Sequence, residues 1–354
     1  MKTRQLVSIF FLSLTTLLSL SFDCYSQSSF YEGRTIVLVR GGGAGGTGDM
    51  RTRAAMPFLT KYIPSNPAIL IKYMPGGGGR LAGNYIYTRA RPDGLTIGNV
   101  GGALVFNGFL GMRGVRYDIN KFHYLGSGNS KTNYVLAVNA KTGLDTLEKL
   151  QAAPLLIIGA LGVGHDLYIN ARLFVWLLDL KEPRFVTGYT GGQEMDLALL
   201  KEEIDIRTNI PDTILRRSRE WIDDKLVYFH SIIEIPKGYR TSHPAFNRLP
   251  TLESFAKTDT ERKILGMYRT FRLVGSPFFL PPGTPEDRVK VLQEAFRKTF
   301  QDPEFLKLFR KLTGAEATPL LPEQQAKAIR DLPKNPEIIK LYKRIASAEP
   351  LPPR

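Results

Sequence analysis

Two glycine-rich loops follow short apolar runs near the start of the chain, and both have the composition of anion-binding turns. Residues Arg40–Asp49 read RGGGAGGTGD after the run Thr35–Val39, and Pro75–Gly79 read PGGGG after Ala68–Tyr73. A strand, a glycine loop and a helix in succession direct bare backbone N–H groups and a helix N-terminus at an anion. The pattern therefore predicts an anion-binding cleft.

Two later loops repeat the pattern. Gly162–Asp166 follows a predicted strand and opens a helix, and Tyr189–Gly192 precedes the helical run Gln193–Lys201. Glycine is the common residue of tight turns, so each loop taken singly is also consistent with an ordinary strand-to-helix connection. Several such loops at strand ends favour binding. Helix N-termini that face one another across a cleft would hold a dicarboxylate at both ends.

An enzyme is the main alternative that these glycines raise. The segment Gly43-x-Gly45-x-x-Gly48 matches the dinucleotide fingerprint, which also needs an acidic residue at the end of the second strand. Here that strand ends at Lys72-Tyr73-Met74. There is no Gly-Lys-Ser/Thr phosphate loop and no Gly-x-Ser-x-Gly turn, and the four histidines are too far apart to form a metal motif: His123, His165, His230 and His243. We therefore predict a protein that is not an enzyme and that needs no cofactor and no metal.

The loops need a scaffold in which strands and helices alternate, and the apolar pattern supplies one. Strands are predicted at Thr35–Val39, Ala68–Tyr73, Leu95–Val100, Tyr134–Asn139, Leu155–Gly159, Arg184–Val186, Ile204–Thr208, Leu226–His230 and Arg272–Leu280. Helices are predicted at Met50–Tyr62 with Asp49 as its N-cap, Gly79–Arg91, Thr146–Leu150, His165–Leu178, Gly192–Lys201, Asp212–Ile222, Pro285–Gln301 and Pro303–Leu312. The alternation indicates an α/β fold with mostly parallel sheets flanked by helices.

Two segments, Asn133–Asn139 and Leu273–Pro285, are predicted to carry the chain between two lobes. The predicted division gives residues 30–136 to the first lobe, 137–270 to the second and 271–335 to a return into the first. Residues 336–354 form a C-terminal tail, with a short helix near Pro336–Ser347 followed by disorder. Two such lobes face each other across a cleft and close on a ligand by hinge motion.

The N-terminus has the three parts of a secretory signal peptide. Lys2 and Arg4 are basic, Leu6–Leu20 is apolar, and small polar residues follow. We predict cleavage near Ser26, so that residues 1–26 are a signal peptide and the protein is periplasmic. Cleavage there would remove the single cysteine, Cys24, and lipidation of Cys24 is the alternative.

The chain is basic, with a formal charge of +15 from 48 Lys and Arg against 33 Asp and Glu. A charge of this size favours anionic partners, although it is equally consistent with a role in solubility alone. The basic residues are scattered and match no nucleic-acid-binding motif, so nucleic acid is not a predicted partner.

The order of these motifs resembles the substrate-binding proteins of tripartite tricarboxylate transporters, the Bug-type periplasmic receptors. The most specific match is Ala90–Thr96, ARPDGLT, to the family's Ala-x-Pro-Asp-Gly-Tyr-Thr. Order and spacing together are more specific than any single motif. The other matching segments are Gly41–Asp49, Met74–Gly79, Tyr189–Gly192, Pro281–Pro285 and Asp302–Glu304, and the resemblance extends from about Tyr31 to Leu332.

The resemblance implies a two-lobed, non-catalytic, monomeric periplasmic binding protein with a ligand cleft between its lobes. It would capture a small organic anion, a mono- or dicarboxylate extending to an aromatic acid or an amino acid, and deliver it to membrane permease subunits. A receptor of the same fold that reports to a membrane sensor is the alternative. The predicted ligand-binding residues are Arg40, Gly43, Ala44, Gly45, Gly46, Thr47, Asp49, Gly101, Gly102, Ala103, Gly162, Val163, Gly164, His165, Asp166, Tyr168, Tyr189, Thr190, Gly191, Gly192, Gln193 and Asn209.

Three of these residues depart from the family pattern. His165 and Asp166 open the second-lobe helix where the family has serine or threonine. His165 would either donate to an anion or cap the helix, and Asp166 would either cap the helix or pair with a cation on the ligand. Arg40 would pair with a second carboxylate or lie at the surface.

Overall fold

The computed structural model describes residues 30–354, which form ten strands in two five-stranded sheets. The predicted signal peptide, residues 1–26 with Cys24, lies outside the described residues. The strands are β1 (Thr35–Arg40), β2 (Ala68–Tyr73), β3 (Thr96–Asn99), β4 (His123–Gly126), β5 (Thr132–Asn139), β6 (Ile157–Ala160), β7 (Arg184–Thr187), β8 (Ile206–Asn209), β9 (Val227–Ile235) and β10 (Phe278–Leu280). The α-helices are α1 (Thr47–Tyr62), α2 (Arg80–Thr88), α3 (Ala103–Phe109), α4 (Leu147–Ala152), α5 (Asp166–Leu177), α6 (Gly192–Leu200), α7 (Pro211–Arg217), α8 (Glu220–Asp223), α9 (Pro244–Asn247), α10 (Asp259–Leu273), α11 (Glu286–Gln301), α12 (Pro303–Thr313), α13 (Pro322–Arg330) and α14 (Pro336–Ala346).

The two sheets share one plan. The first has the order β2-β1-β3-β10-β4, and the second has the order β7-β6-β8-β5-β9. In each, the first three strands are parallel, and the fourth runs antiparallel to both of its neighbours. The predicted two-lobed α/β fold is confirmed, but the sheets are mixed rather than mostly parallel. The reason is that β5 and β10 each enter their sheet from the other lobe and run against the strands that they join.

The first sheet is covered by α1, α11 and α12, which pack on one another. Their core is built on phenylalanines: the ring centroids of Phe278 and Phe296 are 4.8 Å apart, and those of Phe300 and Phe305 are 5.7 Å apart. Such pairs add about 0.5–1.5 kcal/mol each beyond the area that they bury. This packing fixes α1, and therefore the glycine loop that precedes it.

Local signals explain where several helices begin and end. At α12 the Asp302 side chain accepts from the Glu304 N–H at 2.8 Å, Pro303 occupies the first turn, and Gly314 ends the helix in a left-handed conformation with φ 76°. At α10, Thr258 and Glu261 form a reciprocal capping box. The predicted strand Arg272–Leu280 therefore proves to be the end of α10 followed by the short β10.

The predicted N-cap of α1 is also wrong. The helix begins at Thr47 with Gly46 as its N-cap, which places Asp49 in the first turn. Five of these strands and helices were not predicted from the sequence: α3, β4, α9, α10 and α13.

The chain passes between the sheets twice. Strand β5 lies along its whole length in the second sheet, so sheet membership changes before Thr132, ahead of the predicted boundary at residue 136. The return to the first sheet falls between α10 and β10. The division of the chain into lobes at stated residues stays a prediction.

The C-terminal tail is ordered against the second lobe, so the predicted disorder after its helix is wrong. Helix α14 packs on α5 and α10. Beyond it, the indole N–H of Trp176 donates to the Pro352 carbonyl at 3.0 Å, and the Arg354 guanidinium forms an ion pair with Glu261 at 2.8 Å. Within residues 30–354, none of the helices is long and apolar enough to cross a membrane.

Candidate functional site: an arginine-lined cavity between the lobes

A cavity of about 140 Å³ lies between the two sheets, where the carboxyl ends of β1, β3, β6 and β8 face one another. Cavities of about 150 Å³ accept a molecule the size of benzene. A second space of about 280 Å³ adjoins it and is lined mainly by backbone, including Gly41, Gly42 and Pro75–Gly79. Together they have room for a small organic molecule.

The first wall is the loop between β1 and α1. Asp49 folds this loop: its buried carboxylate accepts from the Gly45 N–H at 2.8 Å and from the Tyr73 hydroxyl at 2.7 Å, and pairs with Arg53 at 3.0 Å. Burial opposes ionisation of this carboxyl, but the three donors together hold the pKa of Asp49 below its ordinary value. Asp49 is therefore an ionised group that shapes the loop.

The second wall begins at the N-terminus of α5. His165 is the N-cap, and its Nδ1 accepts from the Leu167 N–H at 3.1 Å. Burial lowers the pKa of His165, so the ring is neutral. Of the two roles predicted for this residue, the structure shows the cap.

Asp166, the next residue, forms an ion pair at 2.5 Å with Arg272 from the end of α10. The Arg272 guanidinium also donates to the Tyr134 hydroxyl at 2.5 Å. Burial on its own would lower the pKa of Arg272, but the attraction of Asp166 raises it above its ordinary value. The cation that pairs with Asp166 is thus supplied by the protein.

The third wall is formed by Asp196 and the two arginines that pair with its carboxylate. Asp196 of α6 pairs with Arg207 of β8 and, at 3.0 Å, with Arg217 of α7. The Nδ2 of Asn209 also donates to Asp196 at 3.3 Å. Arg217 reaches across to the first lobe, where it donates to the Gly45 carbonyl at 3.5 Å.

Further contacts join the lobes on both sides of the cavity. The hydroxyls of Thr47 and Thr213 are 2.9 Å apart on one side. On the other, Arg80 donates to the Val163 carbonyl at 3.1 Å, and Asn107 donates to the Gly164 carbonyl at 3.1 Å. The structure therefore shows the two lobes closed on each other.

Closure explains one of the glycines in the first loop. A Cβ at Gly43 would lie 2.8 Å from the Thr190 carbonyl oxygen of the opposite lobe. This is the first glycine of the dinucleotide-like segment, and its small size lets the backbone of the second lobe approach.

Most of the predicted ligand-binding residues lie around the cavity. Those that line it are Arg40, Gly43, Gly46, Thr47, Asp49, Gly101, Ala103, His165, Asp166, Thr190, Gly191, Gly192 and Asn209, while Tyr189 lines the adjoining space. Those that line neither are Ala44, Gly45, Gly102, Gly162, Val163, Gly164, Tyr168 and Gln193. Tyr168 points away from the cleft, packing on Phe185 and donating to the Ser347 carbonyl at 3.0 Å.

The charged groups that sequence reasoning missed are four of the five cavity arginines and one aspartate. They come from elements remote in sequence, and each sits in a helix or strand where a lone charged residue has no distinctive pattern. The cavity-lining residues that were not predicted include Arg51, Tyr134, Asp196, Arg207, Thr213, Arg217 and Arg272. Within residues 30–354 no group of three or more His, Cys, Asp and Glu is placed to hold a metal ion.

Solved structures share this architecture. The periplasmic binding protein BugD is 18% identical over 90% of this chain and 100% of its own, with a TM-score of 0.67. The chain has the fold of the Bug-type periplasmic binding proteins. MatC from Rhodopseudomonas palustris, with bound malate, is 18% identical over 89% of this chain and 99% of its own, with a TM-score of 0.65.

A second R. palustris protein, with adipate, is 16% identical over 89% of this chain and 96% of its own, with a TM-score of 0.63. No family model and no curated protein sequence matches the chain. The comparisons thus confirm the fold that the motifs predicted, and BugD, which shares it, is a periplasmic binding protein.

Proposed function

We propose that this protein is an extracytoplasmic receptor that captures a small carboxylate-bearing solute for a transporter of the tripartite tricarboxylate type. The observation that carries the proposal is the charge of the cavity between the lobes. Five arginines and three aspartates line it, an excess of two positive charges. In a site shielded from water, such an excess is neutralised most favourably by a bound anion.

The binding-protein fold supports the same conclusion. Neighbours of this fold were solved with malate and with adipate, both of which are carboxylates. The N-termini of α5 and α6 also face the cavity, and their free N–H groups favour a negative ligand. Delivery to membrane permease subunits, a monomeric receptor and export by the signal peptide at residues 1–26 are parts of the proposal.

The test is isothermal titration of the purified protein against a panel of mono-, di- and tricarboxylates and amino acids. We expect one ligand per chain with micromolar affinity, which about three charge-assisted hydrogen bonds suffice to give. The bound solute should be recovered unchanged. No binding to any carboxylate would contradict the proposal, and turnover of a bound solute would restore the enzyme alternative.

A further inference from the structure

The three aspartates of the cavity all have cationic partners from the protein. Asp166 pairs with Arg272 at 2.5 Å, and Asp196 pairs with Arg207 and with Arg217. Asp49 pairs with Arg53, which lies outside the cavity. These ion pairs account for three of the five cavity arginines. Asp196 neutralises only one of its two arginines, so part of the excess of positive charge stays on that cluster. The two cavity arginines that form no ion pair with a described residue are Arg40 and Arg51.

Arg40 is a buried cation without an ionic partner. Its side chain comes from the end of β1 and is 8% exposed. Among residues 30–354, its one hydrogen bond is a long contact of 3.4 Å from Nη1 to the Asn99 carbonyl, and its Nε has no partner. Burial lowers the pKa of Arg40 to about 10, which still leaves the group charged at neutral pH.

Arg51 also lacks an ionic partner, although the residue as a whole is only partly buried. It lies in the second turn of α1, its Nε is buried without a partner, and no carboxylate in the described part of the chain forms an ion pair with it. Asp212 of α7 is near enough to interact electrostatically with Arg51, but does not contact it. Burial lowers the pKa of Arg51 as well.

The position of the two arginines adds to the cost of leaving them unpaired. A Cβ at Gly48 would overlap Nη2 of Arg40, so the guanidinium lies across the first turn of α1. That end of a helix carries a partial positive charge, which repels a cation and attracts an anion. Two guanidiniums and a helix N-terminus therefore converge on one cavity. Asp49 and Asp166 attract Arg40 electrostatically, but no carboxylate of the described residues forms an ion pair with either arginine.

We propose that Arg40 and Arg51 contact the ligand directly through their guanidiniums, and that the ligand is accordingly a dicarboxylate with both carboxyl groups ionised. This proposal rests on the proposed function and specifies its ligand class. A guanidinium binds a carboxylate with two parallel N–H donors, so each arginine fits one carboxylate. A monocarboxylate would leave one of the two cations without an ionic partner.

The experiment compares diacids with their own half-amides. Wild-type protein is titrated calorimetrically with malonate, succinate, glutarate and adipate, and with the monoamide of each, which keeps the length and removes one charge. We expect the best diacid to bind about 10- to 100-fold more tightly than its monoamide, which is the effect of one charge-assisted pair. Arg40→Gln and Arg51→Gln should each reduce that preference to less than about threefold.

Two controls separate this role from a structural one. Arg89→Gln removes a charge from an exposed position on the first lobe, and should keep the wild-type preference. Without ligand, Arg51→Gln should unfold at the wild-type temperature or above it, because it removes a partly buried charge that has no ionic partner. A fall in its unfolding temperature would instead assign Arg51 a structural role and overturn the proposal.

The remaining outcomes distinguish this proposal from the proposed function. Equal affinity for diacid and monoamide in the wild type would overturn the dicarboxylate assignment and leave a carboxylate receptor in place. Saturable binding of sulfate alone would overturn it in favour of a single-centred anion. No binding of any carboxylate would contradict both.

Discussion

The ion pair between Asp166 and Arg272 gives the sharpest prediction about stability. Its side chains are 9% and 4% exposed, and their charged atoms are 2.5 Å apart. Asp166→Asn would remove the negative charge and leave the guanidinium facing only neutral partners, among them the Tyr134 hydroxyl. Removing one partner of a buried pair costs about 3–5 kcal/mol, because the remaining charge stays out of water. The positive charge of Arg51 nearby would add to that cost.

Urea unfolding followed by circular dichroism measures this loss. We expect Asp166→Asn to lower the free energy of unfolding by about 3–5 kcal/mol, and the double variant Asp166→Leu with Arg272→Met to recover much of it, since no buried charge then remains. Asp145→Asn is the matched control. It breaks the exposed pair between Asp145 and Lys149, whose atoms are 2.7 Å apart, and should leave the transition unchanged. A loss below about 1 kcal/mol in Asp166→Asn would refute the reasoning, because that is the value of an exposed pair.

Three further predictions follow from other contacts. Gly43→Ala places a Cβ 2.8 Å from the Thr190 carbonyl oxygen, so it should hinder closure of the lobes and lower the affinity for the bound carboxylate about tenfold by calorimetry. Gly266→Ala, whose added Cβ meets open space, should leave the affinity unchanged. Equal affinities of the two variants would show that the lobes do not close as described. Burial lowers the pKa of His165 below its ordinary 6.5, so the unfolded state binds the proton more readily and stability should fall as the pH drops below 6.5. His165→Asn keeps a capping side chain and should flatten that part of the stability curve in urea unfolding at several pH values. An unchanged curve would contradict a neutral His165 ring with a lowered pKa. Arg354→Ala removes the ion pair to Glu261 and the donors to the carbonyls of Leu177 and Phe255, and should lower the free energy of unfolding by at least ~2 kcal/mol. Lys340→Ala, at an exposed position, should cause no measurable loss. Equal stabilities of the two variants would mean that these contacts do not hold the C-terminal tail against the second lobe.

The fold could be predicted because its signals are local. Apolar runs marked most of the strands, glycine loops marked the ends of β1, β2, β6 and β7, and the order of motifs such as Ala90–Thr96 indicated the two-lobed architecture. Errors arose where two local signals competed. The capping box of Thr258 and Glu261 starts a helix that continues to Leu273, and the apolar residues after Arg272 masked its end.

The part of the site that could be predicted is the part formed by the glycine loops. Glycine loops can be recognised in a sequence, and residues of these loops line the cavity. The ion pairs could not be predicted in this way, because Asp166 and Arg272 are 106 residues apart and meet only through the return of the chain between the lobes. Arg40 was predicted as a site residue because it opens the first glycine loop and departs there from the family pattern, whereas Arg51 had no such signal within α1.

The most direct test of the receptor assignment is a crystal structure of the protein with the tightest-binding carboxylate of the titration panel. The account predicts one ligand in the cavity between the β1–α1 loop and the N-termini of α5 and α6, with the lobes closed around it and a carboxylate oxygen at about 2.7–2.9 Å from a guanidinium nitrogen of Arg40 or Arg51. A ligand bound outside this cavity, or a cavity that stays without ligand at saturating concentration, would contradict it.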